Sequence, residues 1–432
     1  MELRRRTLLG AAAAAGVMGS AARCDPAPPS PAAAPSAPPL EPRNWSSVRG
    51  QLALDADVAH LATFVFASHP ATVRAAIDAH RRGLDADPIR YLAANESRLD
   101  EAVAAAAAAY LGGSADGIAF TDSTTMGLGL LYAGLRLRAG AEMVTTAHDF
   151  YATHEALRLR SVRDGVTVRR VRLYRDPATA TVDEVVSSLA RAVTGRTAVV
   201  ALTWVHSSTG VKLPVRAIAD ALRARNPEAL LCVDAVHGLG AEDATPEQLG
   251  CDFFVAGGHK WLFGPRGTGL VWGTDRGWTR FSPAIPSFDR RAIGAWLGYA
   301  TGGAPAGPAA TPGGYHSFEH RWALAEAFAL HAALGRDRVA ARTHELAATL
   351  KDGLAGLPGV RLITPKDPDL SAGIVCCDVP GVSPAQAVGR LAERRVVASS
   401  TPYEPSYLRF GTTIFNNERD VTAAVEAVRS VL

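Results

Sequence analysis

Lysine is the scarce residue of this chain. Of 45 basic residues only four are lysines, Lys212, Lys260, Lys351 and Lys366, so arginine is used wherever a bare positive charge serves. Arginine keeps its proton at any ordinary pH and cannot act as an amine nucleophile. A lysine retained in an apolar, glycine-rich stretch is therefore a candidate for covalent chemistry with a carbonyl. Lys260 stands in such a stretch, FVAGGHKWLFGPRGTG, residues 254–269. Cysteine is scarce too: Cys24, Cys232, Cys251, Cys376 and Cys377 make neither a disulfide framework nor a metal-ligand spacing. Adjacent strand residues point to opposite faces, so Cys376 and Cys377 are poor disulfide partners, and the four later thiols read as buried. The net charge of +3 is spread along the chain without a nucleic-acid motif, so no nucleic-acid partner is expected. Beyond the first residues no apolar run is long enough to span a bilayer.

The opening residues have the plan of a targeting segment. MELRRRTLLGAAAAAGVMGSAARC carries a basic start, an alanine-rich apolar run and small residues before Cys24. Arg5 and Arg6, followed by Thr7, Leu8 and Leu9, resemble the twin-arginine export signal; an alanine-rich anchor is the alternative. Cys24 is a candidate lipid-attachment site, although Arg23 departs from the small residue preferred there. Residues 1–24 are thus expected to direct export, and residues 25–43, rich in proline and alanine, to form an extended tether.

From about residue 96 helical and strand patterns alternate. GIAFT, EMVTTA, VTVRRVRL, TAVVALTWV, ALLCVDAV, DFFVAGG and TGLVWG read as strands, with amphipathic helices between most of them. Continuous apolar runs of this kind fill buried parallel strands, so the pattern predicts an α/β fold around a mainly parallel sheet. Residues 301–314, TGGAPAGPAATPGG, read as loop, and a long helix follows. The last hundred residues change style, with VRLIT, GIVCCDV, RVVASS and YLRFG as short strands of a smaller α+β unit. The expected domains are a large one over 91–320 and a small one over 321–432, which the segment 44–90 joins.

Ligands of open parallel sheets sit beyond the carboxyl ends of the strands, and four features fall at strand ends here. In AFTDSTTMG a strand runs into Ser123, Thr124 and Thr125 and then a helix, which suits either an anion site or a simple helix cap. Asp234 ends LLCVDAVHG after five apolar residues; a buried carboxylate needs a cationic or hydrogen-bonded partner. A pyridinium N–H and a loop-tying pair with His237 both meet that need. Lys260 is the third feature, with a surface lysine as the plain alternative. Arg409 in SYLRFGTTIFN is the fourth, a fork suited to a carboxylate or to a surface ion pair. Together they match pyridoxal 5'-phosphate, which needs an amine, a carboxylate for its ring nitrogen, an anion cup and a ring to stack on. His148, or else Tyr151, in TTAHDFYATHE is the stacking candidate.

DAVH, then GGHK, flanked in order by TTMG, AHDFYA, HSSTG and RFGTTIFN, resembles the class V aminotransferase family of fold-type I pyridoxal-phosphate enzymes. The likeness covers roughly residues 60–432 and is nearest to the isopenicillin-N-epimerase-like branch. It implies a large domain with a seven-stranded sheet and a smaller C-terminal domain. It implies Lys260 as the Schiff-base lysine, Asp234 on the pyridine nitrogen, and His237 and Ser207 near the phenolic oxygen. Thr124, Thr125 and His259 would hold the phosphate, Arg409 the substrate carboxylate, and Arg321 the phosphate of a partner in a homodimer. Three departures stand out, one being HLATFVFASHP, residues 60–70, where the family usually has an Asn-containing segment. Gly257 replaces a phosphate-binding serine, and the loop VASSTPYEPSY lacks the cysteine of the family's desulfurases. The expected activity is at the α-carbon of an amino acid, epimerase-like or aminotransferase. A β-lyase without a catalytic cysteine and a silent exported binding protein are the alternatives. A second proton donor for epimerisation would be His206 or Tyr403.

Overall fold

A computed structural model of the chain describes residues 38–299 and 301–432, which belong to one compact unit. The residues expected to direct export, Cys24 and most of the expected proline-rich tether lie outside the described residues. Seven strands form the main sheet: β1 (Ile118–Thr121), β2 (Glu142–Thr146), β3 (Thr167–Val171), β4 (Thr197–Thr203), β5 (Leu230–Asp234), β6 (Phe253–Gly257) and β7 (Gly269–Gly273). Their order is β1-β7-β6-β5-β4-β2-β3. All neighbours are parallel except at β7, which runs antiparallel to both β1 and β6. The expected mainly parallel α/β sheet is therefore present. Strands β5, β6 and β7 are buried throughout because helices cover both faces.

A second sheet of four short antiparallel strands is built from Arg361–Leu362, Ile374–Asp378, Ser399–Ser400 and Leu408–Gly411. Its core is separate, with Leu346, Leu350, Val375, Phe410 and Val428 among its members. The segment read as one strand, RVVASS, divides in two. Val396–Val397 pairs in parallel with Ala59–His60, and only Ser399–Ser400 joins the four-stranded sheet.

Two expectations of local structure are corrected. The helix expected from Glu96 begins at Pro88 and runs to Leu111, because Asp87 caps the amide of Arg90 and proline suits the first helical turn. The stretch read as loop over 301–314 contains a short helix, Ala306–Ala310. Gly307 presses that helix against β1: a Cβ there would lie 2.4 Å from the amide nitrogen of Ile118. Among the described residues no helix is long and apolar enough to cross a membrane.

Candidate active site

Beyond the ends of β4, β5 and β6 the chain delivers its chemistry-bearing side chains to one place. β5 ends at Asp234, which is buried; its Oδ1 accepts from the amide of Val236 at 3.1 Å. Burial pushes this carboxyl up to about 6, although the Val236 amide and the Lys260 charge pull the other way. A carboxylate held so high, with only one hydrogen bond, is incomplete without a cationic or N–H partner.

Just after Asp234 the chain turns to His237, and β6 runs out into the loop that carries Lys260. Lys260 Nζ lies 3.2 Å from His237 Nε2, while Trp261 Nε1 donates to His237 Nδ1 at 3.0 Å. These two contacts fix a protonation state. Burial and the charges of Lys260, Arg409 and His259 hold His237 well below the usual histidine range, so its ring is neutral. A neutral ring that accepts at Nδ1 carries its proton on Nε2. An Nε2–H cannot accept from an ammonium group, so its fitting partner is a neutral lysine amine. Burial, helped by Arg409 and opposed by Asp234, lowers Lys260 to about 8. The hydrogen bonds and the charges act in the same sense: both favour loss of the lysine's proton, and a pKa of about 8 leaves a fraction of it as free amine near neutral pH.

Arg409, from the strand Leu408–Gly411, reaches the same place from the second sheet. It is 6% exposed, donating Nε to Ser399 Oγ at 3.1 Å and Nη1 to the carbonyl of Ser207 at 3.0 Å. Its guanidinium lies over the Phe64 ring, 5.2 Å from the centroid. Every one of these partners is neutral. No carboxylate of the described residues pairs with it, and a buried cation without an anion is costly.

The residues of the expected anion cup meet at the start of one helix. Ser123 caps the helix Thr124–Gly134 through the amide of Met126, which leaves Thr124 at the first helical position. Thr124 Oγ1 and His259 Nδ1 are buried and without hydrogen-bond partners. Gly257 lies between them: a Cβ on it would be 3.0 Å from both Thr124 Oγ1 and His259 Cε1. The missing serine thus leaves open the space between two unsatisfied polar atoms at a helix N-terminus. Thr125 is exposed beside them. Arg321 lies against its own chain, with Nη2 3.9 Å from Asp122 Oδ1, close to the same helix start.

His148 stacks on Tyr174 with centroids 3.9 Å apart and 11° between planes, and its Nε2 has no partner. Burial, Arg172 and His154 lower it to about 4, so it offers a neutral ring face. Tyr151, the other stacking candidate, is 68% exposed. Ser207 Oγ meets the Tyr403 hydroxyl at 2.7 Å. His206 is fully buried with Nδ1 on the Tyr174 hydroxyl at 2.9 Å, whereas Tyr403 belongs to the site's wall. Of the two candidates for a second proton donor, Tyr403 bonds Ser207, while His206 lies 5.3 Å from the His148 ring with its Nδ1 already engaged.

Four supporting side chains escaped the sequence reading. Trp261 sets the tautomer of His237, Phe64 covers Arg409, and Tyr174 backs His148. Buried Asp149 accepts from the Thr145 hydroxyl and from the amides of Thr146 and Thr203, each at 2.7 Å, and so ties β2 to β4. Trp261 and Asp149 adjoin residues already singled out; Phe64 and Tyr174 had no local signal.

The residues therefore fit a pyridoxal phosphate group: unsatisfied atoms for its phosphate, a raised carboxyl for its ring nitrogen, a ring face and a free amine. A family model described as aminotransferase class-V matches residues 67–402. Isopenicillin N epimerase of Streptomyces clavuligerus is 26% identical over 398 residues, 89% of this chain and 98% of that protein. Isopenicillin N epimerase of Amycolatopsis lactamdurans is 27% identical over 405 residues, 90% and 98% of the two chains. A probable cysteine desulfurase of Chlamydia trachomatis is 26% identical over 330 residues, 73% of this chain and 79% of that one. Among solved structures, a mutant of C-DES with glycine covalently linked to its PLP cofactor superposes with a TM-score of 0.79 at 22% identity. It covers 88% of this chain and 98% of its own. The cysteine desulfurase CsdA of Escherichia coli gives 0.75 at 23% identity, covering 90% and 98%.

Proposed function

The chain belongs to the aminotransferase class-V family, and from that premise we propose that it is a pyridoxal-phosphate enzyme acting at the α-carbon of an amino acid, as an epimerase or an aminotransferase. The observation that carries the reading is the pairing of a buried lysine of lowered pKa with a buried arginine that has no anion. When bound, pyridoxal phosphate supplies an aldehyde for an amine and a ring that accepts electrons from the α-carbon. Thr124, Thr125 and His259 would hold its phosphate, with Arg321 nearby, and Asp234 would take its ring nitrogen. His148 would offer its ring face for stacking, and His237 and Ser207 would serve its phenolic oxygen. Arg409 grips the substrate carboxylate with its planar fork, and Phe64 keeps that fork in plane. The amine of Lys260 would take the α-proton as general base; a pKa of about 8 suits that task near neutral pH.

The named relatives divide between epimerases and desulfurases, and two observations favour the first. The loop 397–407 holds Tyr403 and no thiol. Cys376, the nearest cysteine to Arg409, is buried, and burial pushes its thiol up to about 12. A thiolate nucleophile is missing on both counts. A homodimer is part of the same proposal, supported by Trp296, Tyr299 and Tyr315, whose side chains are exposed. So is export by the twin-arginine route, which rests on Arg5 and Arg6.

The test is exchange of the α-proton. The holoenzyme is incubated in D2O with a panel of L- and D-amino acids and followed by proton NMR. Loss of the α-proton signal from at least one of them is expected, with the opposite enantiomer or an oxo acid identifying the outcome. No exchange from any amino acid would leave the silent-binder alternative standing.

A further inference from the structure

The segment that follows Phe64 passes beside the loop of Lys260: the amide of Ala67 donates to the carbonyl of His259 at 3.0 Å. Two residues on stands His69, 7% exposed, with its Nε2 buried and without a hydrogen-bond partner. The groups that act on it are all cationic or neutral. Arg266 donates Nη2 to the Ala67 carbonyl at 3.4 Å and lies 4.8 Å over the Phe66 ring. Arg74 donates Nη1 to the carbonyls of Gln51, at 3.2 Å, and of His69. The His320 ring is 6.5 Å from that of His69. Burial first, then Arg266, His320 and Arg74, lower His69 to about 4, which leaves it a neutral hydrogen-bonding ring.

Neither guanidinium forms an ion pair with a carboxylate of the described residues. The acid that acts on Arg74 is Asp78, further along the same helix, and Asp78 is paired with Arg81 at 3.1 Å. The helix Ala71–Ala86 starts directly after Pro70, and no side chain caps its first turn. A buried imidazole with an unspent nitrogen, two arginines without acids and an open helix start gather positive potential in one place. Arg409, assigned to the α-carboxylate, comes from the strand Leu408–Gly411 of the second sheet and is a separate group from these.

We infer that the substrate is an amino acid with a second carboxylate at the end of its side chain, and that His69, Arg266 and Arg74 hold that group. The inference rests on the proposed function. The test compares aspartate, glutamate and 2-aminoadipate with the neutral glutamine and norleucine, by titrating the visible spectrum of the holoenzyme. One of the diacids should half-saturate at a concentration roughly tenfold or more below its neutral counterparts, as a charge-assisted contact implies. Arg266→Gln, at an exposed position, should erase that preference while leaving cofactor absorbance and the response to neutral amino acids unchanged. His69→Asn should weaken the same preference. A response to neutral amino acids with no preference for diacids would overturn the subsite and leave the function intact. Equal weakening of both classes by Arg266→Gln would also overturn it. A response to no amino acid would remove both readings.

Discussion

Two lysines in different parts of this molecule have been brought to the same acidity by opposite arrangements. Lys260 and Lys351 are both lowered from 10.5 to about 8, and in both burial is the largest cause. Lys351, on the long helix Arg336–Ala355, has its valence filled: Nζ donates to the carbonyls of Pro365 and Lys366 at 3.0 and 3.3 Å and to Ser371 Oγ at 2.7 Å. It ties a loop of the second sheet to its helix and has nothing left to give. Lys260 makes one contact, and that contact is with a ring nitrogen whose own proton asks for a free amine. A shifted pKa therefore does not by itself mark a catalytic lysine. Unspent hydrogen-bonding capacity beside other incomplete groups does.

The largest effect should come from removing the unfinished lysine. Lys260→Ala is expected to lower turnover by about 10²–10⁴, the usual worth of a general base, and to remove the lysine-linked absorbance. Its melting temperature should stay near that of the wild type, since only one hydrogen bond is lost and burial already disfavours the lysine's charged form. Calorimetry and steady-state rates on the same preparations read the two effects separately.

Arg409→Ala comes next. Substrate affinity should fall by about 2–5 kcal/mol while bound cofactor remains, if the proposed grip on the substrate's carboxylate by this otherwise anion-free guanidinium holds. Arg409→Lys should recover only part, lacking the planar fork. Spectral titration measures both; loss of cofactor before substrate is added would show that this arginine has a different task.

Lys351→Met should invert the pattern of Lys260→Ala. Three acceptors lose their donor, at a cost of about 1–3 kcal/mol of stability, with catalysis unchanged. The folded pKa lies below the unfolded one, so the unfolded chain holds more protons between about pH 8 and 10.5, and stability gains with pH across that window. The gap between wild type and Lys351→Met should therefore widen from pH 8 towards 10.5. Denaturant titrations at several pH values give the slope.

Trp261→Phe should have the smallest effect and reads the tautomer. Without the indole donor, His237 can carry its proton on Nδ1 and accept from the lysine ammonium through Nε2. That stabilises the protonated lysine and raises its pKa. The acid limb of the pH–rate profile should move upward, with little change on its plateau. An unmoved limb would mean that the indole plays no part in setting the base.

Much of this was legible in the letters. The seven strands announce themselves as apolar runs, and Asp234, Lys260 and Thr124 stand at strand ends where the parallel topology must bring them together. Lysine scarcity singled out Lys260 before any geometry was known. Arg409 was legible through its motif, but its lack of an anion was not, since that depends on Ser399, Ser207 and Phe64 arriving from three separate segments. Phe64 carries no local signal because its neighbours are nonlocal: a Cβ on Gly411 would lie 2.1 Å from its ring. The short helix Ala306–Ala310 was hidden by its prolines and glycines, whose weak propensity is overridden by packing against β1.

The central claim, that Lys260 alone carries the covalent chemistry, is open to one direct measurement. The holoenzyme is reduced with borohydride, digested and mapped by mass spectrometry for a pyridoxyl mass on lysine. With only four lysines in the chain, each is accounted for individually. The mass should be found on Lys260 and on none of Lys212, Lys351 and Lys366. A pyridoxyl group on any of those three, or on no lysine at all, would contradict the account.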